Sequence, residues 1–304
     1  MRLSKVPTVP LSLLREYSTR SVEARVPEPM VMDDADSVAE YHEVGKKTQA
    51  AIYQLSALAT SHLAPEGAHV LDLGSGSGQN LAHLARRRPD LRITGVDLSD
   101  LMIETAEAMF AEEGLDDRVK MVQGDITDLA DLVPDDLGVV SSVQSLHHLP
   151  SFDHLQRCLE QMAAARERTG CAVWIFDEAR LRHGKSYGGF METAFNFPLP
   201  PKLKHDALAS ERAAFTPAEM VEYLGRAGLG DLHGSAMYVL PAFHLYWPRR
   251  RDGAPSGHER CWRAVPPLPG TAIDTFMFGW MFPDVPHREG SSLAAVARRG
   301  PRSV

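Results

Sequence analysis

Cysteine is nearly absent: Cys158, Cys171 and Cys261 are the only three in 304 residues, odd in number and widely spaced. Neither a disulfide framework nor a paired-cysteine zinc motif can be assembled from them, so reduced thiols are expected. Basic charge is also in deficit. Thirty-two Lys and Arg stand against 40 Asp and Glu, a formal net charge of −8, whereas a general nucleic-acid binder needs a basic face for phosphates. No run approaches the roughly eighteen uncharged apolar residues of a membrane-spanning helix, and the first residues lack an apolar signal segment. These absences lead us to expect a cytoplasmic protein with neither nucleic acid nor membrane as partner. What remains, 44% apolar and 24% charged, is ordinary for a globular chain, long enough for one large domain with extensions.

The most informative stretch is 70–80, Val-Leu-Asp-Leu-Gly-Ser-Gly-Ser-Gly-Gln-Asn. An apolar run that ends in an acid and breaks into alternating glycines reads as a buried parallel strand turning into a helix. Gly74, Gly76 and Gly78 lack Cβ atoms where a backbone must turn tightly or a ligand must come close. The helix start beyond them offers unpaired N–H groups. A dinucleotide fingerprint spaces its glycines G-x-G-x-x-G; here Gln79 occupies the place before which a third glycine already stands. Asp72 would repel a pyrophosphate but attract an ammonium or sulfonium group, which argues against a nicotinamide-dependent oxidoreductase.

Two more strands repeat the pattern. Residues 91–98 end in Asp97, about twenty residues past the glycines, where a nucleotide-binding fold places a carboxylate on ribose hydroxyls. The competing role for Asp97 is a helix N-cap, a role that Ser99 can fill instead. Residues 119–122 lead into Gln123-Gly124-Asp125-Ile126. Together these segments resemble the motifs of class I, Rossmann-like S-adenosylmethionine (SAM) dependent methyltransferases of the small-molecule type, over roughly residues 40–247. The resemblance implies SAM as cofactor. It places Asp72, Gly74, Ser75, Gly76, Gly78 and Asn80 in the cofactor cradle, with Asp97 and Leu98 at the ribose. Met102 would pack on the adenine, Asp125 and Ile126 would lie at its edge, and Gln144 would face the methionine part or the substrate.

The alternation of predicted strands (68–73, 91–96, 118–122, 137–143, 171–177) and helices (78–87, 99–113, 152–167) predicts an α/β protein with a doubly wound, seven-stranded, mostly parallel sheet. Its antiparallel last strand is implied by the resemblance, on strand-like runs near 230–237 and 241–247. Residues 1–62 read as an N-terminal arm and helical cap: 1–30 contain proline and are weakly periodic, and a helical pattern from Asp34 to His62 carries a potential break at Gly45. Residues 63–250 form the SAM-binding domain, interrupted at 179–215 by a glycine-, proline- and aromatic-containing insertion expected to be a substrate lid. Thr216, Pro217 and Glu219 spell a capping box with Pro at the first helical position. Residues 251–304 form an extension whose aromatic and methionine-rich run, 271–282, packs on the body, lines a pocket or joins two copies as a homodimer.

Chemistry is expected where the fourth strand ends, in Val-Val-Ser-Ser-Val-Gln-Ser-Leu-His-His-Leu-Pro (139–150). An imidazole titrates near neutral pH and suits proton transfer. By resemblance, His147 is the candidate general base and Asp177, at the end of strand five, its supporting acid, while His148 is read as structural. Arg180, Arg182, His183, Lys185 and Tyr187 either meet a substrate anion or are solvated lid residues. No histidine pair shows H-x-H or H-E-x-x-H spacing, including His205, His233, His244 and His287, so no metal site is expected. The functional expectation is methylation of a small molecule, at oxygen with His147 as base. The alternatives are C- or N-methylation by alignment alone, or a SAM-fold protein that no longer transfers methyl.

Overall fold

The structure, a computed structural model, describes residues 8–31, 34–188, 201–237 and 241–248. Apolar runs rich in Val, Ile and Leu form strands that are buried on both faces at the centre of the sheet, as parallel pairing requires, while edge positions such as Lys120 and Gln123 are exposed. The strands are β1 (His69–Leu73), β2 (Arg92–Asp97), β3 (Val119–Gln123), β4 (Leu137–Val143) and β5 (Ala172–Glu178), followed by β6 (Leu232–Ala236) and β7 (Phe243–Pro248). The sheet order is β3-β2-β1-β4-β5-β7-β6. β1 pairs in parallel with both β2 and β4, placing Asp72 beside Gly95 and Ser141, and β7 runs antiparallel to β5 and β6. The order reverses between β1 and β4, the switch point outside which α/β sheets bind ligands.

Side chains leave each strand alternately for two cores. Val70, Ile93, Val139, Trp174 and Phe176 pack with Leu55, Leu81, Leu84 and Phe110. Leu71, Leu73, Val140, Val173 and Ile175 pack with Leu155, Met162, Met220 and Leu224. The helices that supply these partners are α3 (Ala50–Leu63), α4 (Gln79–Arg87), α5 (Asp100–Glu112) and α6 (Phe152–Thr169), with two further helices described below. Ser99 caps α5 and Ser151 caps α6 with their hydroxyls. Arg88, fully buried, donates to the carbonyls of Ser61, Ala64 and Pro65 and to Asp90, satisfying the end of α3. Among the described residues no helix is long and apolar enough to cross a membrane.

The predicted strands and core helices lie within one or two residues of the observed ones; the N-terminal region differs. Thr8–Ser18 is a helix, α1, before an extended arm at 19–31, and the cap is two helices, α2 (Ala35–Thr48) and α3, that meet at Gln49. Gly45 therefore lies inside α2 and breaks nothing. A Cβ there would stand 3.5 Å from the Gln79 side chain, an ordinary contact, and Gln79 Nε2 donates to the His42 carbonyl at 2.6 Å, joining α4 to α2.

Within 179–215, residues 184–188 form a helical turn and Pro201–Ala213 forms α7; the glycine–proline stretch 189–200 lies outside the described residues. The next helix, α8 (Pro217–Arg226), has the predicted capping box at Thr216 and Glu219, with Pro217 in its first turn. Arg180 donates twice to Glu219, at 2.7 and 2.8 Å, and once to the Glu23 carbonyl. Arg182 donates to the Thr19 carbonyl, His183 pairs with Glu23, and Tyr187 is buried. These residues tie the insertion to the N-terminal arm. Residues 249–304, with Cys261 and the run 271–282, lie outside the described residues.

Candidate active site

The glycine turn is built as its sequence demands. Gly74, Gly76 and Gly78 all adopt left-handed φ, at 67°, 53° and 73°, a region that side chains disfavour. Around Gly78 a Cβ would stand 2.5 Å from the Phe110 ring and 2.8 Å from Ala106, whereas at Gly76 the nearest atom would be Tyr41 Cε1 at 4.0 Å. The outer glycines thus permit packing within the protein, and the middle one leaves open space beneath Tyr41. Tyr41 in α2 and Tyr53 in α3 exchange a 3.2 Å hydrogen bond there.

Asp72 is buried at the end of β1 and accepts bonds from Ser141 at 2.6 Å and Ser75 at 3.0 Å. Burial pushes its pKa up to about 6; the polar groups that act on it are the two hydroxyls, the Asn80 amide and the Asp97 carboxylate. Asp97 accepts from Gly76 N–H at 2.7 Å and from Ser99 N–H at 3.0 Å, so one carboxylate sets the glycine turn and the approach to α5 together. Gln144 sits at the end of β4 with φ 56°, unusual for a residue with a side chain. Its Nε2, like the Oδ1 of Asn80, is buried with no hydrogen-bond partner. Met102 is buried in the first turn of α5, Leu98 is half-buried, Ile126 is buried and Asp125 is exposed, its Oδ1 accepting from Thr127 N–H. An acid starved of a cation, two orphaned amide atoms and an open space over Gly76 fit a ligand bearing an ammonium group and a nucleoside.

Two expected outcomes follow. SAM or S-adenosylhomocysteine, each carrying an ammonium, binds about tenfold more tightly at pH 7.5 than at pH 5, because Asp72 with a pKa near 6 is mostly protonated at the lower pH. Titration calorimetry at the two pH values tests this, and Asp72→Asn should flatten the difference. The sign for stability is opposite: the native state holds its proton more tightly than the unfolded chain, so Asp72 contributes less to stability as pH rises from about 4 through 6. Secondly, Asp97→Ala weakens SAM binding by roughly 1 to 3 kcal/mol, the cost of lost polar pairing. Unchanged affinity in calorimetry would remove Asp97 from the site.

Beyond the cradle, where β4 and β5 end, the predicted pair meets. Leu146–His148 forms a 3-10 turn. His147 Nδ1–H donates to Asp177 Oδ1 at 2.5 Å and its backbone N–H donates to Oδ2 at 3.0 Å, so one buried carboxylate fixes ring and backbone. His147 Nε2 then faces Glu28 Oε1 at 3.7 Å. Burial opposes charge on His147, yet Asp177, Glu178 and Glu28 outweigh it and push its pKa up to about 9. Asp177 is held below the ordinary carboxylate range, against its burial, by His147. Glu178, also buried, rises to about 8.

Glu28 and Arg25 were not foreseen, since nothing local marks the arm as part of a site. Arg25 Nη2 donates to the carbonyls of His147 (2.9 Å) and Leu149, Nη1 to that of Pro150 (3.1 Å), and the guanidinium lies over Phe215 at 4.2 Å. This anchor sets Glu28, three residues on, over the histidine pair. Tyr41 counted in the sequence only as one position of the 34–62 helical pattern, Tyr53 was not singled out, and the place of both is set by how α2 and α3 pack.

A doubly wound sheet with this strand order, an inserted antiparallel β7, and an acid–glycine cradle at its switch point defines the class I SAM-binding fold. Comparison with known proteins agrees: residues 70–170, a third of the chain, match the family described as a methyltransferase domain. The carboxy-S-adenosyl-L-methionine synthase of Chromohalobacter salexigens is 38% identical over 109 residues, 35% of this chain and 39% of that protein. The 27-O-demethylrifamycin SV methyltransferase of Amycolatopsis mediterranei is 33% identical over 92 residues, 30% of this chain and 33% of that protein. The chain thus spans well under half of either relative. A solved structure from Methanococcus maripaludis, assigned as an S-adenosyl-L-methionine-dependent methyltransferase, covers 75% of this chain and 99% of its own at 19% identity and a TM-score of 0.50, a likeness of fold.

Proposed function

We propose that this protein transfers the methyl group of SAM to an oxygen of a small molecule, with His147 as general base and Asp177 as its support. The observation that carries the reading is the buried Asp177–His147 pair next to the cofactor cradle, with Nδ1–H fixed on the acid and Nε2 turned away from it. SAM supplies an electrophilic methyl on a sulfonium. Asp72, Gln144 and Asn80 would hold its ammonium and carboxylate end, and Asp97 its ribose. The protein's own work is to align donor and acceptor, exclude water and take the acceptor's proton. Asp177, Glu178 and Glu28 favour the charged imidazole; a sulfonium in the neighbouring cradle would act in the opposite direction and help to free Nε2.

One comparison favours a second reading. The Chromohalobacter relative is named a synthase of a modified SAM, so a SAM-fold protein that alters its cofactor and methylates nothing is a competing assignment. Incubation with methyl-labelled SAM and a panel of small-molecule alcohols, phenols, amines and acidic carbons separates the two. Label on an acceptor oxygen supports the proposal. Label on nitrogen or carbon replaces it with the alignment-only reaction, and label retained on a changed cofactor supports the second reading.

A further inference from the structure

We propose that Glu28, His147 and His148 form a binding site for one divalent transition-metal ion of the Zn²⁺ type, at the junction of the N-terminal arm and the 3-10 turn. Glu28 Oε1, His147 Nε2 and His148 Nδ1 all lie within 4.8 Å of one another. Glu28 Oε1 stands 3.1 Å from His148 Nδ1 and 3.7 Å from His147 Nε2. Ligands about 2.0–2.2 Å from a tetrahedral ion lie roughly 3.3 Å apart, so two of the three separations already suit a shared ion and the third needs only a side-chain adjustment.

Three independent features aim these atoms at a common point. Glu28 Oε1 and His148 Nδ1 are buried without a hydrogen-bond partner despite their proximity, an arrangement that buried polar atoms avoid unless something else satisfies them. Each imidazole also has its other nitrogen engaged. His147 Nδ1–H donates to Asp177, and His148 hydrogen-bonds the Pro29 carbonyl, which, with Nδ1 unpartnered, fixes the proton on Nε2. Metal-ligating histidines are held this way, the far N–H on a carboxylate or carbonyl and the lone pair free for the ion. Finally, Glu28 and Asp177 bring two carboxylates into one buried region with the two imidazoles, and a bound dication would take over from the His147 proton as their counter-charge. Two nitrogens and one oxygen leave a coordination position open, the pattern of catalytic zinc sites. The ligands come from residue 28 and from 147–148, which explains why no histidine spacing announces them.

The role of the ion rests on reading this chamber as the acceptor side. A loaded ion takes the Nε2 lone pair, so the acceptor hydroxyl would bind the ion and lose its proton to water, with the ion stabilising the oxyanion. The test uses the full chain stripped with a chelator and titrated with Co²⁺ and Zn²⁺. Expected are one Co²⁺ per chain with visible d–d absorption, displacement by Zn²⁺, and a loss of affinity of at least about a hundredfold in both Glu28→Gln and His148→Asn, each checked by thermal melting to be folded. Absence of stoichiometric Co²⁺ binding overturns the site, as does binding that survives both substitutions. If methyl transfer proceeds undiminished in protein that binds no ion, the metal site fails and the general-base reading stands. If one ion binds but no acceptor is ever labelled, the methylation proposal fails and the site stands.

Discussion

His147→Ala is expected to lower turnover by about a hundredfold to ten-thousandfold, the contribution of a positioned proton acceptor, while SAM affinity stays nearly intact. The expectation follows from the division of the site. The proposed cradle is made by Asp72 near the end of β1, the glycine turn 74–78 that follows it and Asp97 at the end of β2, whereas His147 lies past β4, its ring held by Asp177 on β5. Removing the imidazole leaves every cradle contact in place and takes away the one lone pair directed at the acceptor side, whether that lone pair receives a proton or holds an ion. Steady-state rates with the true acceptor, beside calorimetry with SAM, read the two effects separately. A His147→Ala protein that keeps near full rate would show that the histidine is structural and that catalysis proceeds by alignment alone.

Gly78→Ala is expected to destabilise the fold by about 2 to 5 kcal/mol, the sum of a left-handed backbone penalty and overpacking. At φ 73° a side chain is disfavoured, and its Cβ would stand 2.5 Å from Phe110 and 2.8 Å from Ala106, both buried in α5. Gly67 provides the internal control. Its φ is 69°, but nothing lies within 4 Å of the added Cβ, so Gly67→Ala should cost only the backbone part, about 1 to 2 kcal/mol. Denaturant unfolding of the two variants measures the difference. Equal losses would mean that α5 yields to the intruding methyl and that Gly78 serves backbone conformation alone.

The sheet was legible because its information is local: a strand buried on both faces must be apolar from end to end, and each stops at a residue that ends the run. Asp72 and Asp97 stood out as charges at the ends of such runs, and the left-handed glycines declared themselves by spacing. The pairing of His147 with Asp177 came from the resemblance, and the structure brings the two together because β4 and β5 are neighbours. Gly45 misled, since a glycine inside a helical pattern looks the same in sequence whether the helix breaks there or runs through it. Glu28, Arg25 and Tyr41 were hidden for a different reason. They reach the site from an arm and a cap placed by tertiary packing, and neither periodicity nor spacing encodes contacts between positions 25 and 147.

That arm has a consequence for the order in which the molecule assembles. Arg25 reaches the carbonyls of His147 and Ala213 across 122 and 188 positions of chain, separations far longer than any strand-to-strand step in the sheet. Closing such loops loses more entropy than the adjacent pairings, so the parallel core forms first and the arm docks late. By the same reasoning the arm is the segment that detaches at a free energy below that of global unfolding. Glu28 would leave with it, uncovering His147 while the glycine turn stays folded.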